Sequence, residues 1–303
     1  RFGGLVGAAF IDARARRGGG VMIEAEAAGI EPPDSDGGSM LERELLKRLS
    51  TGRAGLPVLP QVAGMALRLA NDRNANLAEL ARLVETDPPI AARFLSVANS
   101  ALYFRGFVIG STQAAIVRLG LARTRDLLFQ VVYANTTVGL KRFQGEVRAS
   151  FDRSVRCAIA ARVASQVLGA PLELAYMCGL LHDIGEARIY RVFEGMPAVA
   201  PGSAEVERLV RKHHNRAGAE IAMAWHLPSE IVDACAAHHD VGATESDAVR
   251  LVMLSDLITA EVEPELEDIE ALGVNDAQWR RLKETFERES GVGRQRLNLT
   301  TAI

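Results

Sequence analysis

The chain has 303 residues, 48% apolar and 24% charged, with a formal net charge of −3. That mix belongs to an ordinary water-soluble globular protein, long enough for two domains or for one with a substantial appendage. The near-neutral balance gives no electrostatic reason to expect nucleic acid or an anionic membrane surface as partner. No apolar run approaches the roughly 18–20 residues that cross a bilayer. The opening RFGGLVGAAFIDARARRGGG lacks the basic start, long apolar core and cleavage pattern of a secretory signal, so a cytoplasmic location is expected. It begins with Arg rather than Met, and a longer parent chain is the expectation. Cys157, Cys178 and Cys235 are widely spaced, form no C-x-x-C and sit among apolar residues, so they read as reduced core thiols.

Taken in chain order, residues 1–30 read as a helix broken by Gly18–Gly20 and followed by the β-prone Val21-Met22-Ile23. EPPDSDGG, residues 31–38, is a Pro/Gly/Asp linker, and from residue 40 helical signals run to the end. Asn76 with Glu79 forms an N-cap pattern ahead of Leu77, Leu80, Ala81 and Val84. Asp87 before Pro88 opens a second helix. These two segments have a helix-turn-helix rhythm, but Arg82 and Arg93 are their cations and Asp87 lies in the turn, so phosphate contacts are not expected. Ser111 caps TQAAIVRLG, with Gly120 as a C′ stop. In the next stretch Arg123 and Arg125 read as a solvated helix start. Val155, Ile159, Val163 and Val167 recur every four residues on one helix face, and Pro228 starts a further helix. A later helix places Leu251, Leu254 and Ile258 together. DAQWRRLKETFERESGVG puts Trp279, Leu282 and Phe286 on one face, for closing the bundle or for dimerisation. With alternating strand patterns nearly absent beyond residue 40, the fold class is all-α there.

Within this helical frame stand His182-Asp183, His214, His238-His239 and Asp256. Imidazole nitrogens and carboxylate oxygens delivered by separate helices to one point form a divalent-metal site. His182 and Asp183, about 100° apart on a helix, reach one ion only if it sits against that face or near the helix end, and Gly185 is expected to end that helix. A helix needs only one of His238 and His239 to face the site. Asp256 lies on an apolar face, where an unpaired carboxylate is costly, so it needs a metal, a His or an Arg. His213 and His226 read as satisfied or solvated histidines.

GLLHDIG, HNRAGAE, HLPSEIVDACAAHHD and SDLITA, in that order, resemble the HD superfamily of metal-dependent phosphohydrolases. More narrowly, segment 56–260 resembles the HDOD (HD-related output domain) family. LPVLPQVAGMALRLAND, ELARLVETDPPIAARFLSVANSALY and IGSTQAAIVRLGLARTRDLL resemble that family's N-terminal helical half. The resemblance implies three parts: a remnant of an upstream domain or a linker at 1–38, the N-terminal helical half at 39–145, and an HD-like bundle with a C-terminal helix at 146–303. GLVGAAFIDARARRGGGVMIEA resembles the closing helix and strand of a STAS-like domain, so the fold is all-α with a short α/β-like N-terminal remnant; a partly ordered linker is the alternative.

The resemblance also implies a bacterial signalling or regulatory output module of which catalysis is not generally expected. Residue by residue, His182 and Asp183 match the HD pair, His214 the following histidine, His238 and His239 the double histidine, and Asp256 the distal aspartate. Arg153 stands where the superfamily has its first histidine, and Arg has no accessible lone pair for a cation. It is expected to neutralise Asp183 or Asp256 in place of a metal. Glu186 stands where many catalytic relatives carry Lys, and DVGATESDAV replaces the G-Y-P of relatives that hydrolyse cyclic di-GMP. The expected function is binding of a signalling protein partner, or of a nucleotide-like small ligand, in a degenerate site; no membrane or nucleic-acid partner is expected, and a homodimer is a candidate. The alternative is a metal-dependent phosphohydrolase acting on a nucleotide or phosphodiester, with iron, manganese or zinc as the candidate ion.

Overall fold

The computed structural model describes residues 39–50, 77–100, 103–136, 139–169, 172, 174–240 and 245–297. The helix, strand and linker expected in residues 1–38, and the Asn76 cap, lie outside the described residues. All regular structure among the described residues is helical. It comprises α1 (Met40–Ser50), α2 (Leu77–Glu85), α3 (Pro88–Ala98), α4 (Thr112–Thr136), α5 (Gln144–Val167) and α6 (Ala175–Leu181). It continues through α7 (Ile184–Glu194), α8 (Ala204–Ala224), α9 (Ser229–Ala237), α10 (Asp247–Thr259), α11 (Leu266–Ala271) and α12 (Asp276–Leu297). No helix among them is long and apolar enough to cross a membrane.

Local chemistry sets several boundaries. The Asp87 side chain accepts from the Ile90 amide at 3.2 Å, and Pro88 occupies the first helical position of α3. Ser111 accepts from the Ala114 amide at the start of α4. Gly120, at φ 76° and ψ 168°, interrupts α4 as expected of a helix-stop glycine, and the chain resumes helix immediately. The new direction turns residues 124–129 inward, so Arg125 is buried rather than solvated, and burial pushes the Asp126 carboxyl beside it up to about 6. His226, left as an ordinary histidine by the sequence, takes φ 53° just past α8. Its amide donates to Met223 and the Leu227 amide to Ala222, the paired bonds of a left-handed helix cap.

Three apolar clusters organise the helices. Leu80, Val84, Ile90, Phe94, Ile116 and Leu128 pack α2, α3 and the first part of α4 together. A second cluster joins the end of α4 to α5 through α9, with Phe129, Tyr133, Phe143, Leu180 and Phe193 at its centre. A third fixes α10, α11 and α12 on α5, where Trp279, Leu282 and Phe286 meet Ala161, Val163 and Leu254. The C-terminal helix therefore closes the bundle. Each fully buried Val, Leu, Ile or Phe among these contributes about 1.5–3 kcal/mol. Helix α1 packs on this bundle through Leu45, and Arg188 of α7 donates to the Leu49 carbonyl and to Glu220 of α8. The result is a sheath of helices around α5 and the α6–α7 junction.

Candidate metal centre

The functional side chains come from five places in the bundle. Helix α5 contributes Arg153 and Cys157, one turn apart; α8 contributes His214; α10 contributes Asp256. His182 caps the end of α6 and Asp183 precedes the first turn of α7. The pair thus occupies a helix–helix junction, and that is how neighbouring residues reach one centre. Gly185 does not end the helix, as expected from sequence; it lies in the first turn of α7. A Cβ there would stand 2.0 Å from the His214 carbonyl oxygen and 2.5 Å from the Gly218 nitrogen. Its missing side chain lets α7 lie directly on α8 at His214, which brings Asp183 to that histidine.

Every sequence-derived candidate ligand is found here, and both residues of the double histidine face inward. Their position explains it: His238 caps the end of α9 and His239 follows beyond the helix, where the 100° spacing no longer applies. His214 Nε2 lies 3.3 Å from His238 Nε2 and 3.2 Å from His239 Nε2. Asp183 Oδ1 lies 3.4 Å from His214 Nε2 and 3.3 Å from His238 Nε2. Asp183 Oδ2 lies 3.3 Å from His182 Nε2, which is in turn 3.5 Å from Asp256 Oδ1.

The tautomers follow from the partners. His182 Nδ1 meets the Gly179 carbonyl at 2.9 Å, His214 Nδ1 the Val210 carbonyl at 3.0 Å, and His238 Nδ1 the Ala234 carbonyl at 2.8 Å. A carbonyl only accepts, so each Nδ1 carries a proton, and each ring, when neutral, turns an Nε2 lone pair inward. The His214 and His238 lone pairs facing one another at 3.3 Å repel unless a proton or a cation lies between them. His182 Nε2 is fully buried and makes no hydrogen bond. Backbone carbonyls on the outer nitrogen are the usual support of metal-ligating histidines. The donor set therefore fits a divalent ion. Burial disfavours the His182 cation, yet Asp183 and Asp256 outweigh burial and hold the ring well above the ordinary histidine range, so a proton takes the inward nitrogen when no ion does.

Two ligand groups share this core: Asp183, His214, His238 and His239 in one, Cys157, His182 and Asp256 in the other. Cys157, expected from sequence as a reduced core thiol, joins the second group. Its Sγ donates to Asp256 Oδ1 at 3.3 Å. Burial first, and then the Asp256 charge, push the thiol up to about 12. The signal was its spacing, one helical turn after Arg153 on the same face.

Arg153 and Glu186, both departures from the expected pattern, are partners: Arg153 Nη2 lies 2.6 Å from Glu186 Oε2, with Glu186 buried. Arg153 also lines a cavity of about 210 Å³ with Arg156, Cys157, Asp183, Asp256 and Glu261. His213 lies away from the centre and pairs with Glu42 at 2.8 Å, a satisfied histidine as read from the sequence.

Comparison with known proteins places this geometry. The family model of the HDOD domain matches residues 56–241. An uncharacterised protein from Treponema pallidum is 23% identical over 61% of the chain, a match spanning 38% of its own length. A ribonuclease Y from Thermus thermophilus is 25% identical over 67% of the chain and 29% of its own length. The chain thus corresponds to well under half of these curated relatives. Among solved structures, a Shewanella amazonensis protein provisionally assigned as a metal-dependent phosphohydrolase superposes with a TM-score of 0.65 at 21% identity, covering 82% of this chain and 98% of that one. A Marinobacter aquaeolei protein provisionally assigned to signal transduction gives 0.57 at 20% identity, covering 95% and 65%. At these identities the likeness concerns the fold.

Proposed function

This chain belongs to the HDOD domain family, and we propose that it is a regulatory output module whose HD-type centre binds rather than hydrolyses. The centre holds a divalent metal, the cavity above it takes a small phosphate-bearing ligand, and the effect passes to a protein partner. The observation that carries this reading is the Arg153–Glu186 pair at 2.6 Å. Arg153 lines the cavity beside Asp183 and Asp256, where its permanent charge attracts an anion and opposes a second dication. Arg156 on the same wall adds a second cation. Phe107 and Val117, both exposed and lining one open groove with Ile109, support a partner-binding role, since exposed apolar patches mark interaction sites. The signal-transduction assignment of a structural neighbour points the same way.

One observation favours a second reading, a metal-dependent phosphohydrolase acting on a nucleotide or phosphodiester. Asp183 reaches both ligand groups, one oxygen to each, as a carboxylate shared by two metals does. When bound, such ions polarise a phosphoryl oxygen and supply hydroxide at neutral pH.

Elemental analysis of protein purified without added metal or chelator separates the readings when paired with an assay on bis(p-nitrophenyl) phosphate. We expect about one equivalent of iron, manganese or zinc, lost on His182→Ala, and no turnover. Arg153→His is then the variant that gains metal-dependent turnover. Wild-type turnover that disappears in His182→Ala establishes the second reading instead. A folded, metal-free protein overturns the metal half and leaves Arg153 as the charge that offsets the carboxylates.

A further inference from the structure

We propose that Cys157 is a metal ligand, and that Cys157, His182 and Asp256 form a thiolate-bearing site for a borderline ion such as zinc. This rests on the reading that the centre holds a metal, and it names a ligand and a metal class that the HD motifs do not contain. Three observations carry it. Sγ of Cys157, an imidazole nitrogen of His182 and a carboxylate oxygen of Asp256 all lie within 4.8 Å of one another, although they come from α5, the α6–α7 junction and α10. His182 Nε2 is fully buried, makes no hydrogen bond and, with Nδ1 tied to the Gly179 carbonyl, is the nitrogen whose lone pair a metal would take in place of a proton. Asp183 Oδ2, 3.3 Å from that nitrogen, supplies a fourth donor and completes a tetrahedral count.

The helix face explains why a cysteine takes this part. Arg153 occupies the preceding turn of α5, and its guanidinium is drawn to Glu186. The next inward position is Cys157, only 3% exposed, with Sγ 3.3 Å from Asp256 Oδ1 and 3.4 Å from Thr259 Oγ1. Cys178 and Cys235 have no such surroundings: their sulfurs lie beside the Glu230 and Leu181 carbonyls, 3.6 and 3.3 Å away. Binding replaces the S–H bond by an S–metal bond, and the proton leaves to solvent through the cavity that Cys157 lines. A thiolate selects zinc, cobalt or ferrous iron over magnesium and manganese. The plainer account of the same geometry is a buried S–H···O hydrogen bond to Asp256.

Cobalt(II) loading of the purified chain, read by near-ultraviolet absorbance, decides between them. The expected result is a thiolate-to-cobalt charge-transfer band, present in the wild type and in Cys178→Ser and absent in Cys157→Ser. Zinc affinity in Cys157→Ser is expected to fall by at least the roughly 10–100-fold that loss of a supporting partner costs. X-ray absorption of the zinc-loaded wild type needs no variant and is expected to show one sulfur at about 2.3 Å. Bound metal with a shell of nitrogen and oxygen alone overturns the Cys157 assignment and leaves the metal reading standing. No bound metal overturns both.

Discussion

Gly185 shows how one missing atom can build a site. The expected reading, a glycine that stops a helix, treats it as punctuation; the contact with His214 makes it the place where two backbones touch. Gly185→Ala is expected to push α7 off α8 and to destabilise the fold by on the order of 3 kcal/mol or more, because the obstacle is backbone rather than a movable side chain. Urea unfolding measures this, and a change under about 0.5 kcal/mol would show that the close approach does not exist. The Arg153–Glu186 pair makes a related point. Each residue, seen in the sequence, is a loss: of a ligand in one case, of a phosphate-binding cation in the other. In the bundle the two losses offset one another at 2.6 Å. Cys157 was overlooked for the opposite reason, since a cysteine among alanines has the composition of core and its closeness to Asp256 spans 99 positions of sequence.

Helix α1 is held by charge as well as by Leu45. Glu42 is buried, and Lys212, His213 and Arg208, all on α8, surround its carboxylate at 2.7, 2.8 and 3.4 Å. The Lys212 bond leads in holding that carboxyl at about 2 instead of 4.5. Its folded value is depressed, so the unfolded chain takes up the proton first as pH falls. The stabilisation is complete above pH about 4.5 and is lost as pH drops toward about 2. Glu42→Gln is expected to cost about 1–3 kcal/mol at pH 7 and to flatten the acid limb of the stability curve. Thermal melts of both proteins between pH 3 and 7 check it; curves that stay parallel would remove Glu42 from the docking of α1. The breaks within elements were more legible than this contact. Asp87 and Ser111 act through amides three residues on and Gly120 through its own backbone angles, and each holds its expected place.

The bundle as a whole converges lone pairs on one buried centre, so an ion bound there stabilises the folded state by mass action. Removing it with a chelator is expected to lower the melting temperature by about 5–10 °C, restored by zinc and absent in His182→Ala. A melting temperature indifferent to chelator would show that the folded chain does not depend on an ion. By itself the sequence determined the helical class, the capped boundaries, the closing role open to Trp279, Leu282 and Phe286, and the membership of His182, Asp183, His214, His238, His239 and Asp256 in one set. Periodicity and caps are local, and motif order identifies a family without distances. Only the tertiary structure decided that His238 and His239 both face inward, that Arg153 is drawn to Glu186, that Cys157 joins the centre and that α1 belongs to the bundle. Each of these depends on which helix faces pack together, and that is settled by contacts between residues far apart in the chain.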